Sequence, residues 1–114
     1  MRSIATLLLV LLLGCSANHG DITVIVENHH GRDATIAANF EFGLRSMPEF
    51  VAARDTQVLK IPARSTNHIE MFFDVRFQGE GTIEASTPVV ARGGDTVVLF
   101  ISAWGEAFAV REVR

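Results

Sequence analysis

Residues 69–77, Ile-Glu-Met-Phe-Phe-Asp-Val-Arg-Phe, form one of the two longest stretches of alternating apolar and polar side chains in the sequence. Glu70, Asp74 and Arg76 lie between the apolar members, and Phe72 breaks the alternation. A period of two places every second side chain on the same face of a β-strand, so the pattern predicts a half-buried strand. The apolar members predicted to face the core are Ile69, Met71, Phe73, Val75 and Phe77.

Further segments with the same period lie on both sides of this stretch. They are residues 22–27, 34–42, 57–61, 82–86, 89–91, 96–102 and 107–113. Turn-forming residues separate them, as at Gly79-Glu80-Gly81, and Pro62 ends the segment 57–61 because proline cannot donate to a ladder. The side chains predicted to face the core are Ile22, Val24, Val26, Ala34, Ile36, Ala38, Phe40, Phe42, Leu59, Ile61, Ile83, Ala85, Val97, Leu99, Ile101, Phe108 and Val110.

One segment is predicted to differ from this pattern. In residues 45–53, Pro48 is suited to begin a short helical turn, although a turn of this length does not change the fold class. About seven strands with no convincing helix predict an all-β domain. We expect an antiparallel sandwich of immunoglobulin-like or transthyretin-like type.

The length and composition restrict the protein to one small globular domain. The chain has 114 residues, a formal net charge of -3 and 48% hydrophobic residues. The apolar fraction excludes a disordered chain, and the lack of a basic cluster argues against nucleic acid as a partner. A single cysteine excludes an internal disulfide and metal motifs built from several cysteines.

An apolar run at residues 4–13 follows Arg2 at the start of the chain. Spanning the hydrocarbon core of a bilayer takes a helix of roughly 20 apolar residues, so the run is too short for a stable transmembrane helix. A short positive segment followed by such a run is typical of an export signal.

The end of this run, Leu12-Leu13-Gly14-Cys15, resembles the lipobox of bacterial lipoprotein precursors. The resemblance implies cleavage between Gly14 and Cys15, lipidation of Cys15 and membrane attachment through that lipid. It divides the chain into a signal peptide (1–14), a lipidated tether (15–20) and a β-sandwich domain (21–114). In these lipoproteins an Asp after the cysteine often marks retention in the inner membrane. Ser16 stands there instead, which favours the periplasmic face of the outer membrane if the cell is Gram-negative.

The remainder of the chain resembles a loose group of small, uncharacterised bacterial lipoproteins with immunoglobulin-like sandwiches. The shared features are structural, and the group carries no assigned activity, so this resemblance bears on the fold alone. The matching segments are Glu27-Asn28, Asp33-Ala34-Thr35-Ile36, Ile61-Pro62, Ser86-Thr87-Pro88-Val89-Val90 and Gly93-Gly94-Asp95-Thr96.

Histidines are the candidate metal ligands. His29 and His30 are adjacent in a predicted turn beside Asn28 and Asp33, and His19 lies in the tether. Imidazole suits copper and zinc, but a structural zinc site takes four ligands and a catalytic one usually takes three. We therefore interpret these side chains as solvated turn residues, with a copper or zinc site at His29 and His30 as the alternative.

No residue pattern typical of catalysis stands out. The sequence has no Gly-x-Ser-x-Gly elbow and no glycine-rich phosphate loop. The carboxylate pairs Glu70 with Asp74 and Glu80 with Glu84 fall on predicted solvated strand faces. We predict no enzymatic activity, no catalytic residues and no cofactor.

Binding is the more natural use of a rigid sandwich with free loops and sheet faces. We expect Trp104, in the last turn, to cap one end of the core, and an exposed aromatic for a sugar ring or a protein groove is the alternative. Phe72 points away from the main alternation, as do Ile25, Val98 and Phe100. These four predict a partly apolar second face that either loops or a partner covers.

Together these features predict a lipid-anchored protein of the bacterial cell envelope. Its expected role is that of a non-enzymatic binding or accessory subunit with an envelope protein as partner. Metal handling through the loop histidines and glycan binding through Trp104 stay open as alternatives.

Overall fold

The computed structural model describes residues 20–41, 43, 45–63, 68–79 and 83–112. Within them the chain forms two β-sheets, and the predicted all-β sandwich is confirmed. The strands are β1 (Asp21–Asn28), β2 (Ala34–Phe40), β3 (Glu49–Val51), β4 (Thr56–Pro62), β5 (Ile69–Phe77), β6 (Ile83–Ala85), β7 (Val89–Ala91), β8 (Thr96–Ile101) and β9 (Ala107–Arg111).

The first sheet has the strand order β4-β1-β8-β9, and the second has the order β3-β2-β5-β6 with β7 also paired to β5. In the described residues β1 and β8 run parallel, and the other strand pairs run antiparallel. The parallel register sets Val24 beside Val97 and Val26 beside Leu99. The first sheet therefore joins the two ends of the domain, with β1 beside a strand from near the C-terminus.

The core lies between the two sheets and consists of the apolar side chains predicted from the period of two. All five inward positions of β5 are buried. The inward positions predicted for β1 and β8 are buried as well, and so are Leu59 and Ile61 on β4. Burial of these side chains supplies the main favourable free energy of folding, at about 25 cal/mol per Å² of apolar surface. The alternation therefore predicted the greater part of the core, whereas Phe42 lies outside the described residues.

The predicted helical turn at residues 45–53 is wrong. Glu49–Val51 forms strand β3, which pairs antiparallel with β2 so that Val51 lies opposite Ala34. Val51 is 1% exposed, and its burial against the core favours an extended backbone over a helical turn. Phe50 points the other way and is exposed.

The predicted facing of the last strand is also wrong. Phe108 and Val110 lie on the outside, and Ala107 and Ala109 face the core. The turn between β8 and β9 fixes this register, because it closes on the cross-strand pair of Ile101 with Ala107. Side chains that lie directly opposite each other share a face, so the buried Ile101 brings Ala107 inward.

The same rule corrects the prediction for β6. Ala85 is exposed rather than buried, because it lies opposite Asp74 on the outer face of β5. At the end of β6 the partner of β5 changes from β6 to β7. The Ser86 hydroxyl accepts the N–H of Phe73 at this break, at 2.7 Å, and is itself buried.

The two ends of the sandwich carry different features. At one end Gly20 leads into β1 and lies against the Gly93-Gly94 turn, where the N–H of Gly94 donates to the carbonyl of Asp21. At the opposite end, the loop end, the turns after β1, β3, β5 and β8 meet. Among the described residues no helix has the length and apolar character needed to cross a membrane.

Candidate functional site

The outer face of the first sheet carries a group of apolar side chains that the core does not bury. Four of them are more than a third exposed: Val58 at 54%, Phe100 at 39%, Phe108 at 43% and Val110 at 63%. Ile25 and Val98, at the centre of the sheet, are half-buried. The six residues, called the apolar face below, are Ile25, Val58, Val98, Phe100, Phe108 and Val110.

The strand register arranges the apolar face in two rows that run across the strands. The first row crosses all four strands of the sheet in the order Val58, Ile25, Val98 and Val110. In the second row Phe100 lies opposite Phe108 on the last two strands. Cross-strand neighbours on one face are about 5 Å apart, so each row is a continuous apolar surface.

Polar and charged side chains border these rows along β1 and β4. On one side Lys60 lies opposite Thr23, and its Nζ donates to the Thr23 hydroxyl at 2.8 Å. This hydrogen bond holds the ammonium group of Lys60 over β1 on the outer face of the sheet. On the other side Glu27 lies beside Phe100 and places Oε1 3.7 Å from Nε2 of His29. The apolar face thus has a cation at one end and a carboxylate at the other.

The two adjacent histidines at the loop end have different surroundings. The His29 ring packs on Phe100, with ring centroids 4.6 Å apart, next to the apolar face. The His30 ring stacks on Phe77 at 4.1 Å, and its Nδ1 accepts the N–H of Arg32. Among the described residues no three His, Cys, Asp or Glu side chains form a group suited to a metal ion, and His19 lies outside them.

The buried Asn28 holds the backbone of this loop. Its side chain is 2% exposed, and its Nδ2 donates to the carbonyls of Arg32 and Ala52 at 3.0 and 3.2 Å. Its Oδ1 accepts the N–H of His30 at 3.0 Å. A buried amide must satisfy both its donor and its acceptor, so Asn28 fixes the backbone from which His29 and His30 project.

Trp104 does not cap the core, contrary to the prediction. It is 88% exposed in the turn between β8 and β9. The Ser102 hydroxyl accepts the N–H groups of Trp104 and Glu106, at 3.3 and 3.0 Å, which closes the turn and leaves the indole at its tip. The indole therefore has the exposure that a contact with a ligand requires.

Phe72 lies on the other sheet and does not join the apolar face. It is 36% exposed on the outer face of β5, opposite Asn39. Close by, Arg45 donates to Asp74 at 2.6 Å and to the Asn39 side chain at 3.2 Å. The outer face of the second sheet is therefore mixed in polarity. Asp74, one of the carboxylates considered above for catalysis, is held in an ion pair with Arg45.

A cleft of about 360 Å³ opens between β4 and the chain that leads into β3. Its lining includes Ile36 and Phe73, which are at most 1% exposed, together with Arg45 and the strand residues 59–62. Met47, which is 80% exposed, is the large apolar side chain that the cleft offers a ligand. The apolar face offers more, and we take it as the candidate binding site.

The sequence pattern predicted half of this site. It placed Ile25, Val98 and Phe100 away from the core, and the structure brings these three together. It missed Val58, Phe108 and Val110, which lie on the two edge strands of the first sheet. The sequence pattern does not indicate the order of strands in the sheet. The pairing of Ile101 with Ala107 across the last turn, however, would have placed Phe108 on the outer face.

Comparison with known proteins bears on the fold. A protein from Eubacterium rectale, whose NMR structure is known, is similar to this chain with a TM-score of 0.50 and 11% sequence identity. The similarity covers 82% of this chain and 90% of that one. No family model and no curated protein matches the chain. Fold and site thus define a two-sheet β-sandwich with an apolar outer face.

Proposed function

We propose that this protein is a lipid-anchored binding or accessory subunit of the bacterial cell envelope, without enzymatic activity, and that it contacts its partner through the apolar face. The observation that carries the proposal is the unbroken row of Val58, Ile25, Val98 and Val110 across all four strands. A contiguous exposed apolar patch on a soluble domain typically marks an interaction surface. Its burial against a partner releases ordered water and is favourable.

The anchor rests on the resemblance of Leu12-Leu13-Gly14-Cys15 to a lipobox. A lipid on Cys15 would hold the domain close to the bilayer, because the residues between it and β1 reach at most roughly 18 Å. Gly20 leads directly into β1, a central strand of the sheet that carries the apolar face. Confinement to a membrane raises the effective concentration of envelope partners and compensates for a weak interface.

Affinity capture of the tagged, full-length chain from chemically crosslinked envelopes tests the binding role. The variant Val58→Ser with Val110→Ser replaces the two most exposed members of the row that carries the proposal, and Val90→Ser, exposed on the other sheet, is the matched control. We expect a stoichiometric partner with the wild type and the control and its loss with the double variant. Equal recovery from all three would refute a role for the apolar face.

In the same preparation, Cys15→Ala is expected to move the protein out of the membrane fraction.

The exposure of Trp104 favours glycan binding as a second candidate function. An indole at the tip of a closed turn offers a flat apolar face on which a sugar ring can stack. Addition of peptidoglycan fragments or simple saccharides is expected to change the fluorescence of Trp104, the single tryptophan of the chain. Fluorescence that stays constant up to millimolar saccharide would exclude this candidate without affecting the apolar face.

A further inference from the structure

We infer that the apolar face is an interface between two copies of this chain, packed face to face with their strands antiparallel. The inference rests on the proposed use of this face for binding and names the partner. It follows from the symmetry of the apolar and charged positions on the sheet. A two-fold dimer buries the same patch on both copies, so the patch must be complementary to itself.

The valine and isoleucine row satisfies this requirement. A two-fold axis that lies along the row, across the strands, places Val58, Ile25, Val98 and Val110 of one copy on the same residues of the other. All four side chains are β-branched, and they project from neighbouring strands at one level of the sheet. Two such rows meet as the inner faces of two packed sheets do, about 10 Å apart.

The charges on the two sides of the row are also complementary under this axis. The axis exchanges the level of Thr23 with the level of Glu27, because each lies two residues from Ile25 on β1. The hydrogen bond from Lys60 to Thr23 places the ammonium group at the Thr23 position. Lys60 of each copy therefore faces Glu27 of the other, which makes two reciprocal ion pairs. The same operation places Thr96 of one copy over Phe100 of the other and Glu112, whose N–H donates to the Thr96 carbonyl, over Phe108, so the aromatic row meets polar side chains.

The size of the face predicts a weak dimer. Four strands spaced about 4.8 Å apart and five residues at about 3.3 Å per residue give an area on the order of 300 Å² for each copy. A standard stable interface contributes about 800 Å² per partner. The dimer is therefore expected to need the high local concentration that a membrane anchor provides.

Photocrosslinking in intact envelopes tests the interface. Two differently tagged full-length copies are produced together, with benzoylphenylalanine in place of Phe108 in one. The same substitution at Phe50, which is 61% exposed on the second sheet, is the matched control. We expect the Phe108 probe, and not the Phe50 probe, to give a product that carries both tags and maps to the first sheet of the second copy.

Two other results would overturn the inference. Crosslinking from Phe108 to a different protein alone would exclude self-association while leaving the proposed binding role intact. Crosslinking from Phe108 no stronger than from Phe50 would count against both proposals.

A charge exchange tests the arrangement of the two copies. Lys60→Glu or Glu27→Lys alone is expected to lower the yield of the doubly tagged product roughly fivefold or more, because each change sets like charges against each other twice. The combined variant is expected to restore the yield, and Arg76→Glu on the second sheet is the control. A combined variant no better than either single variant would overturn the antiparallel arrangement.

Discussion

At the scale of single residues, Gly105 determines how closely the last turn approaches the loop after β1. Its φ is 90°, and a Cβ there would lie 3.3 Å from Cε2 of Phe77 and 3.7 Å from Cδ2 of His30. Gly94 has a nearly equal φ of 92°, but a Cβ there would have no neighbour within 4 Å. The two glycines therefore share the backbone requirement and differ in the space around them.

Substitution of both glycines by alanine separates these effects. Each variant carries the cost of a positive φ, and Gly105→Ala also presses against the Phe77 ring. We expect Gly105→Ala to lower the free energy of unfolding by about 1 kcal/mol more than Gly94→Ala, measured by urea denaturation. Equal losses would mean that the Phe77 ring moves freely away from the turn.

At the scale of strands, Ser86 allows β5 to exchange one edge partner for another. Pro88, just before β7, cannot donate a backbone hydrogen bond, and the Ser86 hydroxyl accepts the Phe73 N–H where β6 ends.

We expect Ser86→Ala to destabilise the domain by about 1 to 3 kcal/mol, because it leaves a buried N–H without a partner. Thr35→Ala, at an exposed position of β2, is the control, with an expected change within about 0.5 kcal/mol. A shift of the urea midpoint no larger for Ser86→Ala than for this control would contradict the assigned role.

The strands also show how far the sequence predicts this structure. On β5 large apolar side chains occupy every second position, and Phe72 is the one apolar residue between them, so the buried face follows from the pattern alone. On β9 the two small alanines alternate with Phe108 and Val110, and hydrophobicity by itself assigns the larger side chains to the core. Pairing reverses this assignment, because Leu99 and Ile101 already fill the space opposite Ala109 and Ala107.

At the scale of the whole molecule, the apolar face could not be predicted as a unit. Its central row takes residues from β4, β1, β8 and β9, and no local pattern indicates that β1 lies beside β8. The exposure of Trp104 has a local cause instead, since the Ser102 hydroxyl closes the turn by accepting the N–H groups of Trp104 and Glu106. The sequence therefore predicted the class of fold and separate members of the site, but not their arrangement.

The parallel pairing of β1 with β8 has a consequence for folding. Contacts between residues distant along the chain form slowly, because the entropic cost of closing a long loop comes before the contacts are gained. β1 lacks one of its two neighbours until residue 101 has left the ribosome. During synthesis the first sheet thus stays open until every described strand except β9 has been made. Under the export proposed above, that delay keeps the first sheet from closing before the chain has crossed the membrane.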